Sequence, residues 1–164
     1  MAVVNRWGSS LVEAGKKDDA AKVAGGKLMC VAAQVEVAEA DSDGSIYKLA
    51  KLPANAIPVK CDIFNDAIAG ATSYDLGLYN EDETTEADKD VFMAATDINA
   101  GSAIGSPRNG LATGPAIADI GKRIWELAGD TVNTKEGGYV LALTGNTVGT
   151  AAGTISVFFY YLVG

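Results

Sequence analysis

Hydrophobic residues recur at every second position over much of the chain, an alternation that marks extended strands rather than helices. Met29, Val31, Ala33, Val35 and Val37 point one way while Gln34 and Glu36 point the other, as on a half-buried strand. Ser45 opens a second alternating stretch. Ile57, Val59, Cys61 and Ile63 then alternate with Pro58, Lys60, Asp62 and Phe64. Pro58 lacks a backbone donor, so that strand is entered at a sheet edge or begins after it. Leu76 and Leu78 alternate with Asp75, Gly77 and Tyr79, and the segments VFMAATDINA, GYVLALTGN and AGTISVFFYYLVG complete the set. In the last of these, Ile155, Val157, Phe159, Tyr161 and Val163 share one face; Thr154, Ser156, Phe158, Tyr160 and Leu162 share the other. Both faces turn apolar toward its end. A strand of that kind lies at the centre of a sheet or beneath a neighbouring subunit. Successive short strands of this type predict an all-β chain folded as an antiparallel β-sandwich.

Turn chemistry divides the strands. Asp41-Ser42-Asp43-Gly44 has the residues of a hairpin turn, and NDAIAGATS supplies another break. Residues 81–90 hold six acids in ten positions, which predicts a solvated loop. The passage AGSAIGSPRNGLATGP has the composition of a long surface loop. Beyond it Ile117, Ile120, Ile124, Leu127 and Ala128 fall at helical spacing, with Gly129 placed as a stop, so one short helix is expected there. Trp125 and Arg123 lie off that stripe.

The first 27 residues differ in texture. Their apolar residues are sparse, they contain the cluster KKDD, and Gly25-Gly26 ends them. Such a segment cannot bury enough area to order itself alone, and it reads as an extended N-terminal arm preceding one domain over 28–164. Trp7, with Leu11 and Val12 near it, is the arm's contact anchor. Phe158 and Tyr160 on the last strand are the second candidate contact, between copies of the chain.

Charge and composition narrow the functions. With 164 residues, 48% of them hydrophobic, the chain has enough apolar material for one well-formed core. Residues 1–27 carry five basic and three acidic groups, whereas the remaining 137 carry eight and 18. A body this acidic repels a phosphate backbone, so no direct nucleic-acid partner is expected. The longest apolar run, Val157 to Val163, is seven residues against the roughly 20 of a membrane span, so no membrane partner is expected either. The opening MAVVNRWGSSLVEAG has no signal-peptide core. Cys30 and Cys61 sit in alternating stretches and read as small buried hydrophobes rather than a disulfide.

Candidate chemistry is scarce. The chain has no histidine, the usual base near neutral pH, so an enzyme is not expected, and no catalytic, cofactor-binding or metal-binding residue is assigned. Asp41-Ser42-Asp43-Gly44 resembles the start of a calcium loop, but Ser45 begins a strand and Leu52 stands where the bidentate Glu belongs. The glycines near Pro107 lack the GK[ST] of a phosphate loop.

The order SIYKLAKLPANAIPVKCDIFND, TSYDLGLYNED, DVFMAATDINAG, GKRIWELAGD, GGYVLALTGN and AGTISVFFYYLVG resembles the capsid decoration or cementing proteins of tailed bacteriophages, over about residues 28–164. That resemblance implies a β-sandwich of jelly-roll type and a non-enzymatic structural role on the capsid exterior. It implies the major capsid protein as partner, with self-association as a dimer or trimer, and no cofactor. A tail, baseplate or head–tail adaptor protein and a carbohydrate-binding module are the alternative readings.

Overall fold

The computed structural model describes residues 26–163 except 83, 84, 113, 134 and 136. Eight strands form in the order β1 (Lys27–Val37), β2 (Ser45–Leu52), β3 (Ile57–Asn65), β4 (Ser73–Tyr79), β5 (Glu86–Thr96), β6 (Arg108–Asn109), β7 (Tyr139–Thr147) and β8 (Gly153–Val163). They build two four-stranded sheets, β1-β8-β3-β6 and β2-β7-β4-β5. The antiparallel pairs β1–β8, β2–β7, β3–β6 and β4–β5 are nested one inside the next, which is the connectivity of a jelly roll.

The predicted alternation carries directly into the core. On β8 the inner side chains Ile155, Val157, Phe159 and Tyr161 are buried, and they meet Leu76, Leu78, Leu141 and Leu143 from the opposite sheet in one cluster. Phe92 packs on Phe159 with ring centroids 5.2 Å apart. Buried tyrosines keep their hydroxyls paired: Tyr74 donates to the Val148 carbonyl (3.1 Å) and Tyr139 to Asp130. The structure thus places β8 at the centre of its sheet, between β1 and β3.

The Asp41–Gly44 turn is held by its own acids. Asp41 Oδ2 accepts from the Ala38 N–H and the Tyr47 hydroxyl, both at 2.9 Å, and Asp43 Oδ1 accepts from the Val148 N–H at 3.0 Å. Asp41 thus braces the turn itself, and Asp43 ties it to the segment before β8. Asn65, buried at the end of β3, anchors the long loop after β5. Its Nδ2 donates to the carbonyls of Asp66, Ile98 and Ala100, and its Oδ1 accepts from Ser102 Oγ and Arg108 Nε, both at 3.0 Å. That pinning creates the two-residue β6 inside what the composition predicted as loop.

Two predicted elements differ in the structure. The stripe from Ile117 to Ala128 is not one helix: a 3-10 turn at Ile117–Asp119 and one α-helical turn, α1 (Ile124–Leu127), flank Gly121 at φ +90°. A residue in the left-handed region cannot sit inside a helix, and the N–H groups of Ile124 and Trp125 bond instead to the Ala56 and Ala54 carbonyls. Ile117 and Ile120 stay in solvent at 90% and 76% exposure, while Ile124 and Leu127 reach the core. Gly129 does follow the helical turn, at φ +83°. The acidic segment is only partly a loop. Its residues from Glu86 onward belong to β5, whose backbone at Asp88 and Lys89 crosses directly over Gly77 of β4.

Candidate interaction surface

The two sheets treat their outer faces differently. On the β2-β7-β4-β5 sheet the chain covers part of its own outer face. Tyr79, Val140 and Ala142 form a small buried cluster there, and the Tyr79 hydroxyl meets Thr144 Oγ1 at 2.6 Å. Asp75, also buried, accepts from the Ala95 N–H and Asn146 Nδ2, each at 2.7 Å, and Lys89 stands 3.8 Å away. The first bond holds Ala95 at φ 44°, an unusual conformation for alanine, where β5 departs from regular pairing. Asp88 lies on this overpassing stretch. Burial first, and the neighbouring Asp90 second, hold its carboxyl above the usual range.

No such cover lies over β1 and β8 among the described residues. The register pairs Leu28 with Leu162, Cys30 with Tyr160 and Ala32 with Phe158, so six apolar or weakly polar side chains share the outer face. Leu28 is 59% exposed and Phe158 37%. On the β3 side Phe64 packs edge-on against Phe158, centroids 5.7 Å apart, and Lys60 stands 5.8 Å from the Tyr160 ring. A Lys60–Asp62 ion pair at 2.7 Å borders the patch. Desolvation, and then the adjacent Cys30, push the Tyr160 hydroxyl above its ordinary pKa. At the far end Gln34 and Ser156, then Glu36 and Thr154, turn the face polar. An apolar centre with a polar border is the anatomy of a protein contact.

Phe158 and Tyr160 thus stand side by side on one outward face. Trp7, Leu11 and Val12 lie outside the described residues. Trp125 packs half-buried against the core, its Nε1 without a hydrogen-bond partner among the described residues, and Arg123 is exposed. Leu28, Cys30 and Ala32 were not singled out by the sequence reading, although their signal was present. The even positions of β1, which a half-buried strand fills with polar residues, are apolar for its first half, as are the even positions of β8 that pair with them. Cys30 is accordingly exposed rather than buried, because it takes the outer parity; Cys61 takes the inner one and is fully buried.

The thiols provide a direct check of this orientation. Burial, with Asp62 beside it, pushes the Cys61 thiol up to about 12, so near pH ~8 it is both unreachable and protonated. A disulfide reagent is expected to titrate one thiol per native chain and two after denaturation. Equal reaction of both in the native protein would contradict the assigned faces.

A shallow groove of about 250 Å³ flanks the other edge of β3, lined by Pro58, Val59, Leu111, Pro115, Ile120 and Leu127. Among the described residues, no cluster of three or more His, Cys, Asp or Glu side chains is arranged to hold a metal ion. None of the described helices is long and apolar enough to cross a membrane.

No protein-family model and no curated protein matches the chain. Its fold is similar to that of a chain in the capsid of Ralstonia phage GP4, with a TM-score of 0.57 at 18% identity, over 84% of this chain and 85% of that one. It is also similar to a chain in the capsid asymmetric unit of cyanophage Pam1, with a TM-score of 0.50 at 16% identity, over 85% of this chain and 86% of that one. At these identities the likeness is one of fold: a jelly-roll sandwich of matching extent.

Proposed function

We propose that the chain is a non-enzymatic structural protein of a phage virion, one that binds the outside of the capsid and cements neighbouring major capsid subunits. The observation that carries this reading is the bare apolar face formed by β1 and β8, where the opposite sheet covers part of its own outer face. Support comes from the two capsid chains of similar fold, each matched over more than four-fifths of its length. The likeness covers 84% and 85% of this chain, and both matched chains come from phage capsids.

On a shell the mechanism is mechanical. The apolar face docks on coat protein while the acidic remainder stays in water, and residues around Trp7 add a second contact. A subunit that holds two neighbours gains effective concentration for the second contact, so modest individual affinities still resist expansion of the shell. The test is occupancy on purified empty capsids. Phe158→Asp is expected to weaken binding about tenfold or more, since it places a carboxylate that must be desolvated without a partner at the centre of the contact. Removing residues 1–25 is expected to lower occupancy further. Full occupancy by both variants would sink the reading, and wild-type binding to tails instead of shells would favour the adaptor alternative.

A further inference from the structure

The four sheet edges are β1, β6, β2 and β5, and three of them carry devices that discourage further pairing. β6 has only two residues. β2 has a bulge between Lys48 and Ala50 and carries two lysines that interrupt a uniform apolar edge. The pairing of β5 shifts register three times, and its first half is charged. β1 has none of these features. Its eleven residues pair with β8 without a break, from Lys27 opposite Val163 to Val37 opposite Gly153, and it contains no proline and no inward-facing charge between its ends.

Its inner side chains show the same incompleteness. Met29, Val31 and Val35 are half-buried, although their β8 partners Tyr161, Phe159 and Ile155 are buried at 7%, 0% and 0% exposure. A further strand alongside β1 would close that seam. Among the described residues, only β8 pairs with β1.

We infer that the edge of β1 left unpaired among the described residues pairs antiparallel with β1 of a second copy about a two-fold axis through Ala32, joining two sheets into one of eight strands. Three features of the strand select this occupant. The register about Ala32 pairs all eleven residues, and it keeps inner with inner and outer with outer, so Met29 meets Val35 and Val31 meets Ala33 of the second copy. No like charges face each other in it, since Lys27 lies opposite Val37 and Glu36 opposite Leu28 of the second copy. It also places Cys30 directly opposite Gln34 of the second copy. The pairing needs no coat protein, so its absence in solution would leave the shell-binding reading standing.

The register makes the test specific. Residues directly opposite across antiparallel strands lie about 5 Å apart at Cα, within disulfide reach, whereas the two Cys30 residues are offset by four positions, about 13 Å. Full-length Gln34→Cys is expected to form a covalent dimer under mild oxidation. Wild type and the Cys30→Ala, Gln34→Cys double variant are expected to form none. Independently, Val31→Lys puts a charge into the edge seam, and by sedimentation it is expected to be a folded monomer where wild type is a dimer. Cross-linking through Cys30 alone would overturn the arrangement. So would a wild-type monomer at tens of micromolar, a Val31→Lys dimer, or a chain that dimerises only once residues 1–25 are removed.

Discussion

Gly77→Ala is expected to cost about 3 kcal/mol or more, at the upper end of overpacking effects, and to lift the first half of β5 from its sheet. A Cβ at this position would sit 2.2 Å from both the Asp88 carbonyl oxygen and the Lys89 carbonyl carbon. Those atoms belong to main chain, so no change of rotamer relieves the overlap. The strand itself must move. Its movement would pull Lys89 from Asn146 and Asp75 and open the cluster of Tyr79, Val140 and Ala142 to water. Denaturant unfolding measures the cost, with Gly105→Ala as the matched control. A Cβ at Gly105 has no heavy atom within 4 Å, so that change is expected to stay within about 0.5 kcal/mol. Equal stabilities of the two variants would refute the close crossing of β5 over β4.

Phe159→Ala is expected to destabilise the protein by about 3–5 kcal/mol, through lost apolar burial and the cavity left behind. The ring has no exposed surface, stacks at a tilt on Phe92 and neighbours Tyr161 at 6.4 Å between centroids. Its strand is flanked on both sides, which limits collapse around the gap. Phe158, one residue earlier, points outward and is 37% exposed. Phe158→Ala is therefore expected to cost about 1–2 kcal/mol in the isolated chain, clearly less than Phe159→Ala. Thermal melts of the two variants compare the opposite faces of a single strand. A similar loss from both would mean that the outer face is covered in the isolated protein.

Period-two alternation was sufficient to locate the long strands, because the inner side chains of a sandwich are apolar wherever the opposite sheet covers them. It could not show which strands pair. Lys27 and Val163 carry no local mark of being neighbours, and the nested connectivity was implied only through resemblance. The helical stripe from Ile117 to Ala128 misled for a physical reason: Ile117 and Ile120 mimic a buried face, yet Gly121 reverses the chain and main-chain bonds to Ala54 and Ala56 use the donors a continuous helix would need. Glu86–Asp90 misled in the opposite sense, since pairing with β4 outweighs the charge of an edge strand. Within the candidate surface Phe158 and Tyr160 were visible from a strand apolar on both faces. Their β1 neighbours were obscured because Gln34 and Glu36 made the whole even-numbered face look polar, whereas only its second half is.

The nested ribbons also govern how the protein comes into being. β4 and β5 are close in sequence and can pair early, but Gln34 and Ser156, neighbours across β1 and β8, are 122 residues apart. During synthesis β1 emerges before the other described strands and waits for β8. Until then β1 pairs with no other described strand, and β3 lacks the neighbour that joins it to β1. A nascent chain stalled in that interval presents an apolar strand without its β8 partner to other nascent chains on the same message, which makes translation rate and chaperone capture determinants of yield.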